Sequence, residues 1–131
     1  MKKIVMKFGG TSVATGENIR NVANLVAESM KQGSDIIVVV SALDGVTDEL
    51  FEAAEQARKE KQDYIQAFKQ RMLERHCVAI TKAIKNSALR KEVEQTVGKI
   101  IDELEKVLTG ICYVGELTPK SKDYVLSFGE R

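Results

Sequence analysis

Lys7, the glycine pair Gly9-Gly10 and the hydroxyl pair Thr11-Ser12 stand in one short stretch near the start of the chain. These residue types suit phosphate. Backbone N–H groups at a glycine turn make a concavity for anionic oxygens, hydroxyls add donors, and a lysine supplies charge. Gly9 and Gly10 are expected to allow backbone angles and a close approach that side-chained residues do not. Lys7 is a cation at the end of an otherwise apolar run, where an ammonium is costly unless it meets an anion. The string is not a P-loop, because the lysine precedes the glycines, and it lacks the G-x-G-x-x-G of a dinucleotide fingerprint. Taken alone, the glycine pair also fits a plain turn.

Two further groups carry potential chemistry. Ser41 and Thr47, with Asp48, lie in the loop Ser41-Ala42-Leu43-Asp44-Gly45-Val46-Thr47-Asp48, directly after a second apolar run. In open α/β sheets ligands bind beyond the carboxyl ends of strands, which sets this loop beside the first glycine turn. Thr47 or Asp48 is expected to cap the helix that follows, and capping suffices for Asp48. Glu130 lies in the closing string Ser127-Phe128-Gly129-Glu130-Arg131, which alone would also fit a helix end with a charged tail.

The elements that position these groups follow from periodicity. Ile4, Val5, Met6 and Phe8 form a near-continuous apolar run, the pattern of a strand covered on both faces. From about Glu17 to Lys31 the spacing of Ile19, Val22, Ala23, Val26 and Met30 predicts a helix, ended by Gly33 in a left-handed conformation. Asp35 to Ser41 is a second buried strand. Strand, helix and strand in this order form a βαβ unit with parallel strands and a right-handed crossover. A helix then runs to about Lys59, and residues 62–108 read as two long amphipathic helices joined at Asn86-Ser87. Ile65, Phe68, Met72, Ile80 and Ile84 line the first; Leu89, Val93, Val97, Ile100, Leu104 and Leu108 line the second. Their charges read as solvated faces with i,i+4 pairing. Thr109-Gly110 is expected to break the second helix, and Ile111 to Val114 fits either a short strand or a packed turn. Thr118-Pro119 starts a last helix with Thr as N-cap, whose Tyr124 and Val125, with Phe128, face inward.

With 131 residues, 44% hydrophobic and 30% charged, the chain has the composition of one small globular domain. A net charge of +1 gives no push toward nucleic acid or membrane surface. No apolar run reaches the length of a membrane span, and no signal-type N-terminal region is present. Cys77 and Cys112 match no metal-ligand spacing and read as reduced cytosolic thiols. His76, the only histidine, reads as a solvated or packed side chain, and no metal site is predicted.

Lys7-Phe8-Gly9-Gly10-Thr11-Ser12-Val13 resembles the opening signature of the aspartokinases, within the amino acid kinase superfamily. Val39-Val40-Ser41-Ala42 with Val46-Thr47-Asp48 resembles a second aspartokinase segment, and Leu126 to Arg131 resembles a third, Leu-Ser-x-Gly-Glu-Arg. The resemblance implies an α/β fold, a partial αβα sandwich made of the parallel βαβ unit plus a long helical hairpin. It implies phosphoryl transfer from ATP, with Mg²⁺, to the side-chain carboxylate of L-aspartate, giving 4-phospho-L-aspartate on the route to lysine, threonine and methionine. Lys7 would be catalytic and, with Gly9, Gly10, Thr11 and Ser12, would bind the nucleotide phosphates. Ser41, Thr47 and Glu130 would hold aspartate. A cytoplasmic homo-oligomer is the expected setting.

Two strands are too few for such a domain, whose sheet has about 4–6. Residues 1–131 therefore read as the N-terminal part of the catalytic domain, truncated, with no regulatory ACT domain and no activity when isolated. The alternatives are a kinase of another amino acid kinase family, such as one acting on glutamate, acetylglutamate or a nucleotide, or a non-catalytic piece that folds by self-association.

Overall fold

A computed structural model describes residues 2–131. Strand β1 (Lys2–Phe8) leads through a 3-10 turn (Gly10–Val13) and helix α1 (Gly16–Lys31) to strand β2 (Ser34–Val40). The strands pair in parallel, Lys2 opposite Ser34 and Phe8 opposite Val40, so both reach their carboxyl ends at one level. Thr15 caps α1, its hydroxyl oxygen accepting from Asn18 N–H at 3.2 Å. Gly33 follows the helix at φ +83°, as the sequence pattern predicts.

Helices α2 (Val46–Arg58), α3 (Gln62–Ala83), α4 (Ser87–Val114) and α5 (Pro119–Leu126) follow, and a 3-10 turn spans Ser127–Glu130. The core sits among these helices. Phe68, Leu50, Ile65, Leu108 and Val125 are its largest fully buried side chains. In α3 the expected stripe holds for Ile65, Phe68, Met72 and Ile80, which are buried, but Ile84 lies past the helix end and is only half-buried. In α4 Leu104 and Leu108 are buried, whereas Leu89, in the first turn, is exposed. Asn86 caps α4 by accepting from Leu89 N–H at 2.9 Å, and Thr118 caps α5 by accepting from Ser121 N–H at 3.1 Å.

Four expectations are corrected. The strands are not buried on both faces: Val5 is 66% and Ile37 61% exposed, and Val38, Val39 and Val40 are exposed as well. Alternation puts Val5, Ile37 and Val39 on one face, and no described element covers that face. α1 is correspondingly lightly packed, with Val22 buried but Met30 exposed. α4 runs through Thr109-Gly110 to Val114 and stops at Gly115, φ +70°. A mid-helix glycine costs about 1 kcal/mol, which the burial of Ile111 offsets, and Gly115 supplies the left-handed cap. Ile111 to Val114 is therefore helix, neither strand nor turn. Tyr124 is exposed rather than inward, its hydroxyl donating to Glu103 at 2.8 Å.

Gly16 meets the end of α3 so closely that an added Cβ would lie 2.6 Å from Lys82 Cβ and 2.9 Å from Ala83 N. Arg20 donates there to the Lys82 and Ala83 carbonyls. These contacts dock the βαβ unit on the helical layer.

α3 and α4 are also braced by Lys69, which lies 2.8 Å from Asp102 and 2.5 Å from Glu105. The hydrogen bonds that Lys69 donates to Asp102 and Glu105 hold its ammonium above its ordinary pKa, and hold both carboxyls below theirs. The sign follows from linkage. The carboxylates contribute stability that is present above their ordinary values of 3.8 and 4.5 and lost as pH falls through the lowered ones. The lysine contributes below 10.5 and ceases to contribute as pH rises through its raised value. Lys69→Met should therefore reduce the fall in urea midpoint between about pH 5 and pH 3. An identical acid dependence in the variant would show that the brace adds nothing.

Candidate active site

Because Phe8 and Val40 are paired, Gly9-Gly10 and Ser41-Ala42 leave the sheet side by side. The two loops touch: a Cβ on Gly10 would lie 3.5 Å from Asp44 Cα and 3.7 Å from the Ala42 carbonyl oxygen. Within the first loop, Ser12 N–H donates to the Gly9 carbonyl at 3.0 Å. Asn18 Nδ2 donates to the Thr11 carbonyl at 3.1 Å, tying the turn to α1. Thr11 and Ser12 are exposed.

The second loop is held from α3. Arg75 reaches Glu49 at 2.8 Å and also donates to the Asp44 carbonyl. Gly45, at φ +78°, is the N-cap of α2, and no side chain caps this helix. The capping role expected of Thr47 or Asp48 is thus not filled. Asp48 instead lies in the first turn, where a carboxylate complements the helix dipole, and Thr47 is exposed.

The C-terminal turn closes onto this loop. A Cβ on Gly129 would lie 3.1 Å from Ala42 Cβ, 3.3 Å from Leu50 Cδ1 and 3.7 Å from Thr47 Oγ1. Glycine is therefore what lets the backbone beside Glu130 approach the β2–α2 loop. A cavity of about 330 Å³ opens here, and Ser41 and Glu130 both line it. Its walls are mainly apolar, including Val40, Leu50, Ile101 and Phe128, with a few polar groups, which is the usual make-up of a small-molecule site. Arg131 also lines it, with its guanidinium 3.6 Å from Glu103 and stacked 4.3 Å over the Phe128 ring. His76, read from the sequence as packed or solvated, is half-buried in the same wall. Neither its spacing nor its neighbours in the sequence signalled that place.

Lys7 stands opposite Val39, near the carboxyl end of β1. It is exposed, so no desolvation cost acts on it as the apolar run suggested. It does not line the cavity that holds Ser41 and Glu130.

The glycine pair also departs from expectation. Gly9 has φ −77° and ψ 177°, ordinary extended backbone, and an added Cβ there would meet nothing within 4 Å. Gly10 has no positive φ, and its added Cβ would make only ordinary contacts. The fold of this chain thus does not require glycine at either position, and the space beside the backbone stays open to an anion. Gly9→Ala should leave the unfolding midpoint unchanged or raise stability by about 0.4–1 kcal/mol, through the unfolded chain. A clear loss in a denaturant titration would show that the glycine serves the fold.

Among the described residues no cluster of His, Cys, Asp or Glu could hold a metal ion, and no helix is long and apolar enough to cross a membrane.

The strand pair thus ends in two adjoining loops, and a third segment closes over a cavity beside them. The amino acid kinase family model matches residues 2–131, and the chain belongs to that family. Relatives that it matches include aspartokinases. The aspartokinase of Bacillus sp. (strain MGA3) is 57% identical over 56 residues, 43% of this chain and 14% of that protein. The chloroplastic aspartokinase 1 of Arabidopsis thaliana is 31% identical over 138 residues, 96% of this chain and 21% of that protein. Among solved structures, E. coli aspartokinase III in complex with lysine and aspartate superposes with a TM-score of 0.63 at 25% identity, over 98% of this chain and 26% of that one. The same enzyme in complex with aspartate and ADP gives 0.59 at 27% identity, over 99% of this chain and again 26% of that one. The chain thus spans about a quarter or less of these proteins.

Proposed function

We propose that this chain is the N-terminal part of the catalytic domain of an aspartate kinase, which transfers the γ-phosphoryl of MgATP to the side-chain carboxylate of L-aspartate. The product is 4-phospho-L-aspartate, an activated acid on the way to lysine, threonine and methionine. The observation that carries this reading is the meeting of three segments at one end of the sheet: the Gly10 turn against Ala42 and Asp44, and Gly129 against Ala42 and Thr47. The solved relative with aspartate and ADP supports the pairing of these two ligands.

The chemistry asks little of the protein beyond position and charge. A carboxylate is already a nucleophile, so no general base is needed, and catalysis rests on alignment and on stabilising the charge of the transferring group. Lys7 and the N–H groups of Gly9 and Gly10 take the phosphoryl oxygens, with Thr11 and Ser12 near the other phosphates. Glu130 takes the α-ammonium, and Ser41 and Thr47 donate to carboxylate oxygens. Magnesium arrives with the triphosphate, as part of the substrate. The chain alone turns over nothing, since the nucleotide-base site lies outside it, and the working enzyme is a cytoplasmic homo-oligomer.

The test is a complete kinase domain carrying this segment, assayed with MgATP and hydroxylamine to trap acyl phosphates, beside the 131-residue chain. Aspartyl hydroxamate from the former and none from the latter is expected. Preference for glutamate or acetylglutamate, or aspartate-dependent ADP release by the chain alone, would overturn the respective part of the reading.

A further inference from the structure

On the aspartate reading above, we infer that Arg75 is a positioning residue of the amino acid site. It acts through the loop rather than on the substrate, by fixing the span from Asp44 to Glu49 that carries Thr47.

Arg75 grips that span at both ends. Its Nη1 donates to Glu49 Oε1 at 2.8 Å, and its Nη2 donates to the Asp44 carbonyl. One planar guanidinium therefore sets the separation between a loop carbonyl and a side chain in the first turn of α2. Thr47 stands between the two anchors in the chain. The entry to α2 leaves room for such a hold. Gly45 precedes the helix at φ +78° with no side-chain cap, and the turn is closed by Val46 N–H donating to the Leu43 carbonyl at 3.0 Å. A cation near a helix N-terminus is opposed by the helix dipole. Arg75 therefore does not support α2 by its charge; what it adds is the geometry of two bonds.

The other end of the clamp is firm. Met72 and Ala79, about one turn before and after Arg75 on α3, are both buried. The span held from there is the one that the other two segments touch. A Cβ on Gly10 would lie 3.5 Å from both Cα and Oδ1 of Asp44, and one on Gly129 would lie 3.7 Å from Thr47 Oγ1. Releasing the span thus changes where Thr47 stands relative to the turn that carries Glu130. Displacements well under a side-chain length are enough to weaken a site built from several converging groups.

The experiment is a double-mutant cycle of Arg75 and Thr47 in a complete kinase domain carrying this segment, with KM read separately for aspartate and ATP. Thr47→Val keeps the shape, removes the hydroxyl and should raise KM for aspartate. Arg75→Met should raise it about tenfold, the ordinary size of coupling within one contact network, with kcat and KM for ATP within about twofold of the unsubstituted enzyme. Arg75→Lys keeps the charge but not the planar fork, and should fall between. In the Thr47→Val background, Arg75→Met should raise KM for aspartate no further, because the group it positions is gone. A merely structural arginine would instead lower the folded fraction, which cuts kcat per mole of protein and leaves both KM values alone. That pattern, an unchanged aspartate KM, or effects that simply add, overturns the role of Arg75. If Arg75→Met does not fold, Arg75→Lys carries the same cycle and the same outcomes decide. Thr47→Val without effect on KM for aspartate removes Thr47 from the amino acid site, and the role of Arg75 with it. A raised KM in Thr47→Val beside an unmoved one in the Arg75 variants fails Arg75 alone.

Discussion

Lys7→Met should lower kcat by about a hundredfold or more in a complete kinase domain carrying this segment, with KM for aspartate nearly unchanged. In a loose phosphoryl-transfer transition state the charge lies on the equatorial oxygens, so a cation placed there acts on the barrier rather than on substrate binding. The structure makes the test clean. Lys7 is exposed, joins β2 through its backbone opposite Val39, and forms no ion pair among the described residues. Its replacement should therefore leave the unfolding curve of the 131-residue chain where it was. A variant with near-normal kcat would reduce Lys7 to a solvated strand residue.

Glu130→Gln should raise KM for aspartate roughly ten- to a hundredfold, the loss expected for a charge-assisted hydrogen bond of about 1.5–3 kcal/mol. KM for ATP should move little. Gln keeps the shape of the side chain, and Glu130 is exposed at the end of the C-terminal turn, so the Gly129 contact with Ala42 and Leu50 stays intact. The split between the two constants is what carries the information. A raised ATP KM with aspartate spared would place Glu130 on the nucleotide side. No change in either would leave it as the charged end of a turn.

Much of the fold was legible because local chemistry and tertiary packing agree. The α3 stripe, the Thr118-Pro119 start and the Gly33 stop each follow from a residue type that suits one backbone state. The three motif segments were legible as strings, and the strand register then brings two of them together. Burial of the strands was not legible. A β-branched run reports that something covers a strand, not that the same stretch of chain supplies the cover. The α4 end was misread because Gly110 looks like a breaker when its burial context is unseen, whereas Gly115 adopts the positive φ. His76 lay beyond sequence reasoning, since helical spacing cannot separate a core wall from a cavity wall.

The bare face of the sheet also divides the site by how firmly each half is held. The β1–α1–β2 unit is closed by few buried side chains, Val13 and Val22 among them, whereas α2 to α5 enclose Leu50, Phe68, Leu108 and Val125. Local opening free energies follow such differences, so amides of the strand pair should exchange with solvent well before those of the helical layer. The turn of residues 9–12, proposed here to hold phosphate, rides on the weakly held unit, and Thr47 and Gly129 belong to the firmly held one. An apparent affinity is scaled down by the fraction of time its binding-competent state is populated. Under the proposed assignment, that reduction falls on the phosphate contacts and on Ser41 and spares Thr47 and Glu130. Any surface that settles onto Val5, Ile37 and Val39 would consequently steady the strand pair and, with it, the turn of residues 9–12 at its end.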